Sequence, residues 1–464
     1  MTLVEIDTSS PSASNELSAL IAKYDGRAPR YTSYPTAVQF TPEVTSQTYG
    51  AWLRDLPTDR PVSLYLHIPF CARLCWYCGC NTRAVNRHAP IGDYVRLLIR
   101  EIALLQEALP ATLAASAIHL GGGTPNMLSL PELDVIFDRL GEVFRLTPDL
   151  EVAAELDPAV LTREWVMAAS ARGLSRASLG VQNLSPQVQR AVNRLESFED
   201  IARCVGWLRE AGVASINLDL MYGLPHQTTQ NTLSTLDLVL GLRPERLALF
   251  GYAHVPWMKT HQRLIDEAAL PGAQERLDQS ESAAARLAAE GYVRIGLDHF
   301  ALADDPLSLA QSTGRLRRNF QGYTTDAATS LIGFGASAIG RLPQGYVQNH
   351  ARELDWRIAV SGGRLPVARG VAVTGEDALR AEIIERLMCD FAVDVAAVSQ
   401  RHGHCESKFV AELARLQRFV DDGLVQRAGP KIEVTPRGRL LVRSIAAVFD
   451  QYFQAEAVRH SRAI

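Results

Sequence analysis

The chain has 464 residues, with 47 Lys and Arg against 51 Asp and Glu, a net charge of −4, and 47% apolar residues. That length exceeds one simple core and implies a large domain with smaller ones, while the balanced charge gives no global attraction to nucleic acid. No apolar run reaches the length of a membrane span and no secretory leader is read at the start, so a soluble cytoplasmic protein is expected.

Residues 1–25 are rich in Ser, Thr and Ala and are expected to be largely mobile. Pro29-Arg30-Tyr31-Thr32-Ser33-Tyr34-Pro35-Thr36 follows, dense in Tyr, Arg and Pro. It reads either as an extended segment strapped across the main domain or as a strap that covers an active site. From about residue 60, short apolar runs alternate with helical patterns. Strands are expected around Leu64–Ile68, Ala117–Leu120, Val152–Leu156, Ala177–Val181, Ile216–Leu220, Leu247–Phe250 and Val293–Leu297. Tyr94, Leu97, Leu98, Glu101, Ile102 and Leu105 lie on neighbouring helical turns. Ser129-Leu130-Pro131-Glu132 resembles a capping box, and Gly173 and Gly212 sit where left-handed helix ends fall. Such alternation predicts parallel strands with right-handed crossovers: an α/β fold, a partial TIM-like (β/α) barrel with its chemistry at the C-terminal strand ends.

The loop after the first strand is the most informative. Cys71, Cys75, Cys78 and Cys80 place four of the seven cysteines within ten residues. Structural zinc sites split their ligands into two separated pairs, and no second pair follows. Cys204, Cys389 and Cys405 are isolated and read as small apolar residues. A compact thiolate loop suits an iron–sulfur cube, one short segment reaching several corners. Cys71, Cys75 and Cys78 are read as its ligands, leaving one iron open; Cys80, in a tight CxC, is read as a non-ligand neighbour.

Further along, the second strand runs into Gly121-Gly122-Gly123-Thr124-Pro125. Glycines allow backbone to approach a ligand, although a tight turn uses them equally well. Glu155, Gln182 and Asp219 interrupt the apolar runs of the third to fifth strands. Any one of them alone reads as a satisfied structural group; three at equivalent barrel positions point to a polar ligand. Asp298-His299-Phe300 and Arg315-Leu316-Arg317-Arg318-Asn319-Phe320 put cations beside aromatics, which suits a flat polyanion, although each is also read as core or solvated surface. Residues 331–340 are small and apolar, 341–370 read as a linker, and a helical region ending in a short ribbon resembles a winged-helix module.

CxxxCxxC with Tyr77 before the last cysteine resembles the signature of the radical S-adenosylmethionine enzymes. The ordered blocks from Arg30 onward, including the strap, Tyr65-Leu66-His67-Ile68-Pro69-Phe70, Gly121–Pro125, Val192-Asn193-Arg194, Asp219–Pro225, Asp298–Phe300 and Asn319–Thr325, resemble the oxygen-independent coproporphyrinogen III oxidase family. The resemblance implies one 4Fe-4S cluster on three cysteines and two S-adenosylmethionine molecules. Tyr65, Gly122, Glu155 and Ile339 are expected to line the cluster-bound molecule. Tyr77, Gly123, Thr124, Gln182, Arg194, Asp219 and Ala253 are expected to line the second. Tyr65 and Arg30 are the catalytic candidates, with Arg30 and Arg315–Arg318 as cationic clamps for the four propionates of coproporphyrinogen III. Also expected are a flavodoxin-type electron donor, an unidentified acceptor and a monomeric chain, with no nucleic-acid or membrane partner. A haem chaperone of the same superfamily is the near rival, but it lacks the strap and a counterpart of Cys80. A cluster-containing regulator is the distant one. The expected division is an arm over 1–55, a barrel over 56–300, an extension and linker over 301–370, and a mainly helical domain over 371–464.

Overall fold

Six parallel strands carry the architecture: β1 (Val62–Ile68), β2 (Ala114–Gly122), β3 (Arg145–Leu156), β4 (Leu174–Gln182), β5 (Ser215–Tyr222) and β6 (Arg246–Gly251). The computed structural model describes residues 28–453 together with 19–20 and 23–24, so the arm expected to be mobile lies almost wholly outside the described residues. Six of the seven residues of β1 are buried, as a strand covered on both faces must be. Crossover helices α1 (Ala89–Ala108), α2 (Leu130–Val143), α3 (Arg163–Ala171), α4 (Phe198–Glu210) and α5 (Thr229–Leu240) return the chain between strands. The expected capping box forms, Ser129 and Glu132 exchanging bonds at the start of α2. Gly173 (φ 94°) and Gly212 (φ 77°) take the left-handed conformation that ends α3 and α4. Among the described residues no helix is long and apolar enough to cross a membrane.

Two expectations are corrected. The seventh apolar run forms β7 (Tyr292–Ile295), but it lies at the sheet edge, antiparallel to β8 (His299–Leu302), which itself pairs antiparallel with β6. The seventh parallel strand is instead β11 (Leu331–Phe334), on the other flank of β1; β9 (Arg317–Asn319) and β10 (Gly322–Thr324) form a separate hairpin before it. The glycines of the 331–340 run hid it, because they serve close backbone packing: a Cβ at Gly333 would meet the Ile339 carbonyl oxygen at 2.9 Å. The supposed linker over 341–370 also carries structure. β12 (Ile339–Leu342), β13 (Gly345–Asn349) and β14 (Val367–Ala372) extend the sheet antiparallel, with α6 (Glu353–Ser361) between the last two. The result is one open twelve-stranded sheet, ordered β14-β13-β12-β11-β1-β2-β3-β4-β5-β6-β8-β7. The barrel is partial, as expected.

A second core surrounds α7 (Gly375–Asp390) and the antiparallel sheet β15 (Ala392–Asp394), β17 (Lys431–Val434) and β16 (Val425–Ala428). Tyr31 and Tyr34 of the strap pack into this core and not onto the barrel. Tyr31 donates to Asp450 (3.0 Å), and buried Arg443 donates to the carbonyls of Ala28 and Pro29. Ten residues later Thr41 bridges Gly370 of the sheet edge. The strap therefore ties the two cores together.

Candidate active site

The cysteine loop is closed at its base by a two-residue parallel pairing, Phe70–Cys71 against Arg83–Ala84. Its carbonyls are held from outside by side chains. His261 donates to Cys78 O (2.8 Å), Gln262 to Tyr77 O (3.0 Å), Lys259 to Cys80 O (2.9 Å) and Asn193 to Leu74 O (2.9 Å). Thr82 lies 3.0 Å from the Cys71 sulfur and an Arg194 nitrogen 3.5 Å from that of Cys75. The Cys80 amide donates to the Cys78 sulfur (3.4 Å), and its thiol does the same. That bond, with the charges of Lys259 and Arg194, holds the Cys78 thiol below its ordinary range, while Cys80 is pushed up. Cys80 thus acts on its neighbour's sulfur.

Strand ends complete the wall. Cys71, Cys75, Cys78, Glu155, Arg194 and Asp219 line one cavity of about 170 Å³, together with Tyr77, Gly122, Gly123, Thr124 and Gln182. Tyr65, Ile339, Ala253 and Arg30 are not in its lining. Tyr65 sits on β1 in register with His119 and Gly333, and donates to His67 (3.0 Å). His67 is kept neutral by burial, so its other nitrogen donates to Asn81 O (2.8 Å). Ile339 opens β12, and the Ala253 carbonyl accepts from Gln262 (3.3 Å). Gly122 (φ 110°) is required: a Cβ there would meet the His67 ring at 2.6 Å, and one on Gly123 would meet the Phe70 carbonyl oxygen at 2.7 Å.

Charges in the wall are arranged in pairs. Glu155 accepts from the Gly122 amide (3.0 Å) and from His119 (3.2 Å). Burial opposes its ionisation, but those donors outweigh it and hold the carboxyl below its usual range. Asp219 accepts from Ser178 (2.9 Å) and Asn217 (2.7 Å), yet burial and the Glu155 charge push it up to about 6. Arg194 donates to Gly180 O (2.7 Å) and pairs with Glu196 (3.0 Å) and Asp157 (3.4 Å); Arg73 from the cysteine loop joins the same acids. The Nε atoms of Arg73 and Arg194 are buried without a partner among the described residues. His67, His119, Arg73, Glu196 and the Lys259–Gln262 segment were not singled out from sequence. Arg73 inside the cysteine loop and Glu196 two residues after Arg194 were the signals available.

Asp219 and His299 flank Ala248 in one cross-strand row. His299 donates to Asp298 (2.8 Å) and packs edge-on against Tyr323, whose face carries the Arg318 guanidinium 4.4 Å away. Burial opposes ionisation of Asp298, but His299, Arg318 and Arg30 together keep it ionised far below the usual carboxylate range. Arg30 itself is exposed, its carbonyl taking a bond from Arg318 (3.3 Å).

The residues fit an iron–sulfur cluster with a nucleotide beside it. Three soft thiols share a cavity with exposed glycine backbone, three carboxylates and two guanidinium groups with a donor each to spare. Comparisons with known proteins agree. Residues 65–239 match the Radical SAM superfamily and residues 373–441 the HemN C-terminal domain. The chain is 47% identical to an oxygen-independent coproporphyrinogen III oxidase of Bradyrhizobium diazoefficiens, over 94% of this chain and 97% of that one. It is 38% identical to one from Synechocystis, over 96% and 97%. A solved structure described as coproporphyrinogen III oxidase (HemN) from Escherichia coli, a radical SAM enzyme, superposes with a TM-score of 0.89 at 38% identity, covering 94% of this chain and 98% of that one. The chain belongs to the oxygen-independent coproporphyrinogen III oxidase family of radical S-adenosylmethionine enzymes.

Proposed function

We propose that the chain converts two propionate side chains of coproporphyrinogen III to vinyl groups without oxygen, giving protoporphyrinogen IX for haem biosynthesis. The observation that carries this reading is the single cavity shared by Cys71, Cys75 and Cys78 and the polar strand ends, in a chain of this family. Cys71, Cys75 and Cys78 would hold one 4Fe-4S cluster, and the remaining wall two S-adenosylmethionine molecules. When bound, these groups would supply the hydrogen-atom abstraction at a propionate β-carbon that lets carbon dioxide leave, with one electron going to an external acceptor.

The chain's own residues bind, orient and keep water out. Glu155 and Asp219 accept from the amine or ribose hydroxyls, Arg194 offers its remaining donor to a carboxylate, and Tyr77 supplies an aromatic face. Gly122 and Gly123 let the ligand approach the backbone. Arg30, exposed on the strap beside Asp298, is the outer cation for the substrate. In this reading the enzyme is a cytoplasmic monomer reduced by a flavodoxin-type donor, with no nucleic-acid or membrane partner; its net charge of −4 supports the absence of nucleic acid. The arm (1–55), barrel (56–300), extension (301–370), which adds the seventh parallel strand β11 to the barrel sheet, and C-terminal domain (371–464) divide the work.

One anaerobic assay tests the proposal: reconstituted protein, reductant, S-adenosylmethionine and coproporphyrinogen III. Protoporphyrinogen together with 5′-deoxyadenosine is expected; haem binding without turnover would refute it. Arg30→Ala is expected to raise KM or slow turnover with cluster iron unchanged.

A further inference from the structure

A second cavity, of about 380 Å³, lies between the strap, the sheet edge and α7 and shares no lining residue with the cysteine cavity. Arg60, Arg317, Arg318 and Arg341 line it, with Glu382 and Glu385. The acids are already engaged: Glu385 accepts from Arg317 (2.9 Å) and from the Arg318 amide (3.2 Å), and Glu382 from Arg401 and His402 (2.8 Å). Arg60 and Arg341 have no carboxylate partner among the described residues. Arg318 is 8% exposed, and its Nε and Nη1 have no partner among the described residues. A buried guanidinium with two idle donors costs free energy that an anion bound there would recover.

Resting on the proposed substrate, we propose that this cavity binds carboxylates of the tetrapyrrole, holding propionates that do not react. Its volume of about 380 Å³ falls within the range of ligand pockets, about 300–1,000 Å³, and its arginine-lined wall suits acidic side arms. Guanidinium forks match carboxylates in shape and charge. The strap backbone at Arg30 is bonded to Arg318, so a carboxylate held here would also secure the strap.

The test is binding of coproporphyrin III, the stable oxidised form, to anaerobically reconstituted holoenzyme, followed by fluorescence, alongside KM for coproporphyrinogen III. Arg318→Gln and, on the exposed rim, Arg341→Gln are each expected to weaken binding and raise KM about tenfold or more, the worth of one charge-assisted bond. Iron content, and cleavage of S-adenosylmethionine without substrate, should stay unchanged. Arg318→Lys should restore affinity only in part, because it keeps the charge and loses the fork. Because Arg341 is exposed, its variant keeps the test open if the Arg318 variants fold poorly. Unchanged porphyrin affinity in Arg341→Gln and in every folded Arg318 variant would overturn the assignment. So would succinate binding that the substitutions abolish while porphyrin binding survives. Wild-type protein that makes no protoporphyrinogen would sink the functional reading instead, and the binding comparison would still decide the cavity.

Discussion

The two cores of this protein are assembled in opposite ways. The part of the barrel core around the cysteine cavity grows from successive strand–helix units, β1 to β6, each packing against the one before it, and β11 to β14 close back onto the other flank of β1. The C-terminal core closes over Tyr31 and Tyr34, brought from the far end of the chain; the Tyr31–Asp450 bond spans 419 residues. A local core can form early at little loop-closure cost, whereas the distant one must first bring its ends together. The cysteine cavity is therefore built on the self-contained half, while Arg30 and the second cavity depend on both halves meeting.

The largest expected effect isolates the first half. Cys75→Ala should remove most cluster iron and abolish turnover while far-ultraviolet circular dichroism stays native; full activity in that variant would break the assignment of the thiols. Next, Leu98→Ala on α1, fully buried in the barrel core, should cost about 2–5 kcal/mol in denaturant unfolding. Glu101 gives a pH signature of comparable size. It is buried, and accepts from the Gly335 amide (2.8 Å), Asn349 (2.7 Å) and Trp356 (2.9 Å). Burial nevertheless pushes its carboxyl up to about 7 from an ordinary 4.5. The folded state then holds a proton that the unfolded chain releases, so stability falls as pH rises from about 4.5 to 7, by about 3 kcal/mol in all. Glu101→Gln should flatten that slope in thermal unfolding. Smallest is Tyr31→Phe, which removes the Asp450 bond: about 1 kcal/mol off the stability, with a rise in KM if the strap carries a substrate cation and none if it is only a tie.

The strands β1 to β6, their helices and the cysteine loop could be read directly, because period-two and period-3.6 patterns and clustered thiols are local properties. Glu155, Gln182 and Asp219 were visible for the same reason, as polar residues inside apolar runs. Tertiary structure alone decided which edge each late strand joined, since Leu331–Phe334, interrupted by Gly333, and Tyr292–Ile295, interrupted by Arg294, are both short runs whose pairing is set by distant neighbours. It also decided that the strap packs into the C-terminal core, that His119 meets Glu155, and that Arg318 is buried with donors to spare. Those outcomes depend on contacts between residues far apart in the chain, whose burial and charge no local pattern encodes.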